Sequence, residues 1–116
     1  MRGLPQSVWG EVVRANAAAY PDKPALVDAG RSLSFAQFDM RTNRLNHALR
    51  ARGLARGDRV AVLSKNRLEC VEAYGVAKTG MIAVPLNWRL SARELLHPLK
   101  DSAPRALLAE PEFIPL

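Results

Sequence analysis

The sequence predicts an α/β fold in which a β-α-β-α-β unit follows a helix, a short hairpin and a further helix. Three apolar runs, residues 60–63, 81–84 and 106–109, lack strict alternation, which is typical of strands covered on both faces of a parallel sheet. Helical periodicity separates each run from the next. Right-handed crossovers would make the three strands parallel.

The first predicted helix has one apolar stripe, formed by Val8, Val12, Ala15 and Ala19. Pro21 stops this helix, because the proline ring would clash with the preceding turn.

A short hairpin is predicted next. Residues 25–27 and 32–33 flank the sequence Asp28-Ala29-Gly30-Arg31, and Gly30 is available for the positive φ that tight hairpin turns need.

The second helix has the clearest signals. Ser34 and Gln37 form an S-x-x-Q capping box at its start, and Gly53 is placed for a left-handed C-cap. Its apolar stripe has spacings of 3, 4, 3 and 4 and consists of Phe35, Phe38, Thr42, Leu45 and Leu49.

Two further helices connect the predicted strands. Asn66 is predicted to cap a helix over residues 67–79 that ends at Gly80. Ser91 opens an S-x-x-E capping box and a helix that runs to about Lys100.

Composition limits the function classes. The 116 residues include 17 Lys plus Arg against 11 Asp plus Glu, a net charge of +6, and they predict one domain over 1–116. The single cysteine, Cys70, excludes a disulfide framework and a Cys-based zinc cluster. Because no apolar run approaches the roughly 20 residues of a membrane span, and no signal peptide is evident, we expect a cytoplasmic protein without a membrane span.

Phosphate-loop motifs are not matched. Gly75 and Gly80 have the glycine spacing of G-x-x-x-x-G-K-[ST], but Met81 and Ile82 follow where Lys and Ser/Thr are required. We interpret these glycines structurally: Gly75 allows close helix packing, and Gly80 is a helix C-cap.

Other candidate groups are sparse. His47, on the polar side of its helix, and His97 are the only histidines, too few for a zinc site. Glu69 and Glu72 share a helix face, as a catalytic pair would, but a solvated face is the favoured interpretation. Cys70 is interpreted as a packing residue.

The arginines of the second helix and the turn after it raise the question of nucleic acid. They are spread around the helix, whereas a phosphate stripe would concentrate them on one face, so no nucleic-acid partner is expected. They are Arg41, Arg44, Arg50 and Arg52.

The order of several short motifs resembles the N-terminus of AMP-forming acyl-CoA synthetases, over nearly the whole chain. The motifs are Tyr-Pro-Asp-Lys-Pro-Ala-Leu-Val at 20–27, Ser34-Phe35, Arg44-Leu45, Gly-Asp-Arg-Val-Ala-Val at 57–62, Lys-Thr-Gly at 78–80 and Val-Pro-Leu-Asn-Trp-Arg-Leu-Ser at 84–91.

The resemblance implies an incomplete N-terminal subdomain of the acyl-CoA synthetase fold. Enzymes of this kind use ATP and Mg²⁺ to convert a carboxylic acid, such as a fatty acid, into an acyl-adenylate, and then pass the acyl group to a thiol, usually that of coenzyme A. Their phosphate loop and catalytic lysine do not occur in these 116 residues. We therefore predict no catalytic residue or metal ligand here, no tight cofactor binding and no activity of this chain alone.

One site residue is carried over from the resemblance. Arg89 matches the arginine of the family's Asn-Pro-Arg-Leu segment, which in some acid–CoA ligases lies near the nucleotide phosphates of coenzyme A, although Trp88 replaces the commoner proline. An arginine can grip phosphate oxygens with two parallel hydrogen bonds. The alternative is a surface arginine before a helix cap.

Partners follow from the expected sheet edges. A parallel sheet of three strands leaves open edges, and residues 112–116 are mostly apolar, so we expect the chain to be the beginning of something larger. The predicted partner is the remainder of a ligase chain, or a second copy through the sheet edges. The alternative function is a non-catalytic module that associates through its edges or binds polyanions through its arginines.

Overall fold

A computed structural model describes residues 9–113. The helices and strands, in chain order, are α1 (Trp9–Ala19), β1 (Pro24–Asp28), β2 (Arg31–Ser34), α2 (Phe35–Ala51), β3 (Arg59–Leu63), α3 (Leu68–Ala73), a 3₁₀ helix (Tyr74–Thr79), β4 (Ile82–Leu86), α4 (Ala92–Ser102), β5 (Ala106–Ala109) and a 3₁₀ turn (Pro111–Phe113). No helix in these residues is long and apolar enough to cross a membrane.

The main sheet confirms the predicted α/β fold class. Its three strands are parallel and lie in the order β4-β3-β5. The central strand alternates between two cores: Val60 packs with α2 and the 3₁₀ helix, whereas Ala61 and Leu63 pack with Leu95 of α4. Helices therefore cover both faces, as the unbroken apolar run of β3 predicts.

The hairpin is also confirmed. Strands β1 and β2 are antiparallel, with Asp28 opposite Arg31. The two loop residues, Ala29 and Gly30, have φ of 46° and 86°, the positive values that a type I′ hairpin turn requires at both positions.

Both predicted capping boxes are present. The Ser34 Oγ accepts from the Gln37 N–H at 3.1 Å, and the Ser91 Oγ accepts from the Glu94 N–H at 3.2 Å. Helix α2 ends at Ala51, and Gly53, two residues later, has the positive φ of 94° that the predicted left-handed cap requires. These caps depend only on residues that are close in the sequence, so they could be predicted without knowledge of the fold.

The predicted buried face of α1 is wrong by one position. Val12 is 48% exposed, whereas Val13 is 6% exposed; Val8 lies outside the described residues. The reason is Gly10, whose added Cβ would lie 2.8 Å from Cγ of Lys78. Because α1 approaches the 3₁₀ helix through this glycine, the Gly10–Val13 side faces inward.

The predicted helix over 67–79 is divided into α3 and the 3₁₀ helix. Its N-cap is Arg67 rather than Asn66, and no side chain of that segment caps it. Asp28 supplies the acceptor instead, as described below. Gly80 ends the 3₁₀ helix with φ of 76°, as predicted.

The outer strands are less buried than predicted. Ile82 of β4 is 47% exposed and Leu107 of β5 is 50% exposed, because each strand pairs on one side only within residues 9–113. Strand β4 also continues through Pro85, which an edge strand tolerates since its outer side needs no N–H donor.

Candidate functional site

The carboxyl ends of the three parallel strands bring several polar residues to one edge of the sheet. Ser64 and Lys65 follow β3, residues 87–89 follow β4, and Glu110 follows β5. In open α/β sheets ligands bind beyond this edge, at the place where the strand order reverses. The order β4-β3-β5 has its reversal at β3.

Arg89 lies in the loop between β4 and α4. The side-chain oxygen of Asn87 accepts from the Arg89 N–H at 3.0 Å, which holds the loop backbone. The guanidinium Cζ lies 4.5 Å from the centre of the Trp88 ring, within cation–π range. Arg89 is exposed, and no carboxylate of the described residues pairs with it.

A second cation, Lys65, and a second aromatic ring, that of Phe113, also lie close to the Trp88 ring. The Lys65 Nζ lies 5.2 Å from the same ring centre, and the Phe113 ring lies 6.4 Å away. Lys65 also pairs with Glu112 at 3.1 Å. The sequence did not indicate this cluster, because its members follow three different strands.

A cavity of about 650 Å³ opens on the α2–α3 side of the sheet. Val62 and Leu108 are among its apolar lining residues, and six of its lining residues are charged. The charged lining residues are Arg41, Arg44, Arg67, Glu69, Glu72 and Glu110. Two of the arginines that the sequence placed on scattered faces, Arg41 and Arg44, therefore border one cavity, whereas Arg50 borders a different one.

Glu69 and Glu72 are not a solvated pair. Glu72 is buried and accepts from Arg41 Nη2 at 2.9 Å. Glu69 is exposed and accepts from Arg31 Nη2 at 2.9 Å, and these Arg31 hydrogen bonds lower the pKa of the Glu69 carboxyl. Each carboxylate has its own arginine from a different element, so the solvated interpretation is wrong for Glu72 and neither supports a catalytic pair.

Asp28 links the hairpin to α3. Its Oδ2 accepts from the Leu68 N–H at 3.1 Å and from Arg31 Nη2 at 2.6 Å, and Arg67 Nε lies 3.6 Å away. The Leu68 hydrogen bond, followed by that of Arg31, lowers the pKa of the Asp28 carboxyl. The cap also places an acidic group at a helix N-terminus, where it is favourable.

Asn46 is a buried polar residue of α2 that lies outside the predicted apolar stripe. It is 1% exposed; its Nδ2 donates to the Thr42 and Gly75 carbonyls, both at 2.8 Å, and its Oδ1 accepts from the Thr79 hydroxyl at 2.6 Å. All its hydrogen-bonding groups are used between α2 and the 3₁₀ helix, so its role is structural.

The histidines, Cys70 and Gly75 are the remaining candidates. His47 and His97 are exposed, and residues 9–113 contain no group of three or more His, Cys, Asp or Glu side chains that could hold a metal ion. Cys70 is buried, and its contact with the Tyr74 hydroxyl raises the pKa of that phenol. Gly75 packs in the core, as predicted.

Comparison with known proteins decides the family. The sequence profile of the AMP-binding enzymes matches residues 13–114. The chain belongs to this family. It is 47% identical over 97 residues to fatty acid–[acyl-carrier-protein] ligase ScoC of Streptomyces coeruleorubidus, a match that covers 83% of this chain and 19% of ScoC. The 3-hydroxybenzoate–CoA/4-hydroxybenzoate–CoA ligase of Thauera aromatica is 42% identical, with 82% of this chain and 18% of the ligase covered.

A solved structure of the AMP-binding family agrees with the fold. The N-terminal domain of FACL13 from Mycobacterium tuberculosis superimposes with a TM-score of 0.88 and 34% identity, covering 95% of this chain and 28% of that domain's chain. The resemblance to acyl-CoA synthetases is thus confirmed. This chain spans about a fifth of the length of the curated relatives. The comparisons do not support the alternative of a non-catalytic module.

Proposed function

We propose that this chain is the first part of an ATP-dependent acid–thiol ligase. The complete enzyme joins a carboxylic acid to AMP, releases pyrophosphate, and transfers the acyl group to a thiol. The observation that carries the proposal is the 47% identity to a fatty acid ligase over 83% of the chain. The acyl acceptor is a thiol, either that of coenzyme A, as in the Thauera aromatica ligase, or that of an acyl-carrier protein, as in ScoC. The enzyme works in the cytoplasm, where thiols are kept reduced.

Within that enzyme these residues act chiefly as scaffold. Strand β3, buried from Val60 to Leu63, carries helices on both faces, while the phosphate loop and catalytic lysine of the family do not occur among the 116 residues. Mg²⁺ would therefore be held by other parts of the enzyme. Arg89 fits a phosphate of coenzyme A, because its guanidinium is exposed and has no carboxylate partner in residues 9–113.

The remainder of the ligase domain is the proposed partner. Leu107 pairs in register with Ala61, so it lies on the α4 face, and it is half exposed. A right-handed crossover from β5 to a neighbouring strand would cover that face and pair the open edge of β5. The same edge explains why a separate copy of the chain would self-associate.

A chimera tests this proposal. The matched segment of ScoC is replaced by the corresponding residues of this chain, and fatty-acid-dependent pyrophosphate release is measured with ATP and Mg²⁺. We expect release by the chimera and none by the 116-residue chain alone, because only the chimera has the phosphate loop. Leu107→Asp in the chimera should abolish release, and exposed Lys100→Ala should not.

Two results would contradict the proposal. A folded chimera without acid-dependent release would exclude this segment from a ligase scaffold. Release by the isolated chain above an ATP-only background would show that the catalytic groups lie within it.

A further inference from the structure

We propose that the amino edge of the main sheet is a docking surface for an anionic lipid bilayer. It lies at the opposite end of the strands from the polar residues of the carboxyl edge, and docking there uses no group assigned to the ligase reaction. The surface, which we term the basic edge, consists of Arg50, Arg52, Arg56, Arg59 and Arg105.

An arginine lies at the amino end of each of the three parallel strands. Arg59 is the first residue of β3, and the N–H of Arg105, just before β5, donates to the Arg59 carbonyl at 2.8 Å. Arg56 lies against the turn that leads into β4, because a Cβ added at Gly80 would lie 2.7 Å from the Arg56 Cγ. The Gly57 N–H also donates to the Gly80 carbonyl at 2.9 Å. Three separate segments of the chain therefore bring an arginine to one edge.

Helix α2 adds two arginines at the same edge. Its C-terminal end lies there, because the short loop after it leads directly into β3. Arg50 is in the last turn and Arg52 is the C-cap, and Arg50 and Arg56 border the same cavity of about 520 Å³. The helix dipole favours a cation near a helix C-terminus, so these positions are stable without a carboxylate partner.

Four of the five guanidinium groups have no carboxylate partner within residues 9–113, and all five arginines are exposed. The exception is Arg105, whose Nη1 lies 3.8 Å from the Asp58 Oδ2. That oxygen also accepts from the Ala55 N–H at 2.7 Å. At the end of α4, Lys100 and Asp101 add one charge of each sign. Most of the positive charge of the basic edge is therefore available to an external anion.

Small residues separate the arginines of the basic edge. Residues 50–59 have the sequence Arg-Ala-Arg-Gly-Leu-Ala-Arg-Gly-Asp-Arg; Leu54 is buried, and the exposed positions between the arginines are alanine or glycine. This segment offers neither the apolar centre of a protein interface nor the aromatic side chains on which single-stranded nucleic acid stacks. Clusters of about four to eight basic residues are typical of surfaces that bind anionic lipid headgroups. A bilayer is thus the partner that fits the basic edge.

Co-sedimentation of the 116-residue chain with vesicles tests the docking surface. Anionic vesicles contain equal parts of phosphatidylglycerol and phosphatidylcholine, and vesicles of phosphatidylcholine alone measure binding that needs no anion. We expect saturable binding to the anionic vesicles only, weakening as salt is raised. The edge triple variant, Arg52→Gln with Arg56→Gln and Arg59→Gln, should bind about a hundredfold more weakly, since each basic residue near an anionic surface contributes about fivefold.

A control triple variant removes the same charge elsewhere. Arg14→Gln, Lys23→Gln and Arg93→Gln replace exposed cations of α1, of the loop before β1 and of α4. Both triple variants lower the net charge by the same amount, so a difference between them depends on the position of the charge. The control should keep most of the binding to anionic vesicles. Circular dichroism and thermal unfolding verify the fold of both variants.

Four results would overturn the docking surface. They are no saturable binding to the anionic vesicles, equal binding to neutral vesicles, equal losses in the two triple variants, and tighter binding to duplex DNA than to anionic vesicles at the same salt concentration. The last result would assign the basic edge to nucleic acid instead.

The ScoC chimera separates the docking surface from the proposed function. We expect it to bind anionic vesicles through the same arginines, and its edge triple variant to release pyrophosphate at the unchanged rate without vesicles. An active chimera that does not bind the vesicles would remove the docking surface and leave the ligase assignment. An inactive chimera with the expected vesicle binding would do the reverse.

Discussion

Asp28, the last residue of β1, accepts a hydrogen bond from the N–H of Leu68 at 3.1 Å, 40 residues further along the chain. A hairpin residue thereby caps the helix that follows β3. Because Arg31 and Arg67 contact the same carboxylate, the contact joins the hairpin to the carboxyl edge of the sheet, next to the cavity that Arg67 borders.

Replacing Asp28 should destabilise the start of α3. Asp28→Ala removes the acceptor of the Leu68 N–H and the partner of Arg31, so we expect a lower Tm and faster amide exchange at Leu68 and Cys70. Asp28→Asn keeps an acceptor for the cap and loses only the charge, so it should show a smaller effect. Equal effects of the two variants would assign the contact to charge alone.

Low pH should weaken the contacts of Asp28 and Glu69 that join the hairpin to α3. The pKa values of Asp28 and Glu69 are both lowered in the fold, so their contribution to stability is present above their unfolded values, about 4, and is lost as pH falls through the lowered folded values. Urea unfolding between pH 6 and pH 2.5 measures this loss. The double variant Asp28→Asn with Glu69→Gln should show a flatter pH dependence; an unchanged slope would contradict the ion-pair assignment.

Asn46 should be one of the least replaceable polar residues. Asn46→Leu leaves the Thr42 and Gly75 carbonyls without their side-chain donor, and we expect a loss of about 2 kcal/mol in the free energy of unfolding. The neighbouring exposed His47→Ala should change it by less than about 0.5 kcal/mol. Chemical denaturation measures both, and a neutral Asn46→Leu would show that the network contributes nothing.

Gly10→Ala distinguishes the two possible buried faces of α1. Alanine favours a helix over glycine by about 1 kcal/mol, but its Cβ would lie 3.0 Å from the Lys78 Cα, and overpacking of this kind destabilises by about 1–3 kcal/mol. We therefore expect a net loss of stability. The exposed Val12→Ala is the control and should be nearly neutral; a gain in Gly10→Ala would mean that α1 does not contact the 3₁₀ helix here.

The part of the fold that could be predicted depends on near neighbours. Capping boxes at Ser34 and Ser91, the turn at Gly30 and the caps at Gly53 and Gly80 need only residues within a few positions, and all are present. The candidate site could be predicted from the sequence only in part. Arg89 was found through its motif, whereas Lys65 and Phe113, which meet the same ring as Arg89, carry no motif of their own.

The chain's order of amino acids was enough to predict most of the helices and strands, the parallel β-α-β-α-β unit and the family, since periodicity, caps and motif order are local or sequential properties. It did not predict that residues 74–79 form a 3₁₀ helix. Tertiary packing alone decided that Val13 rather than Val12 is buried, that Asp28 rather than Asn66 caps α3, and that Glu72 pairs with Arg41. Each of these depends on which distant element lies alongside, and side chains brought together by a sheet edge or a helix contact leave no regular spacing in the sequence.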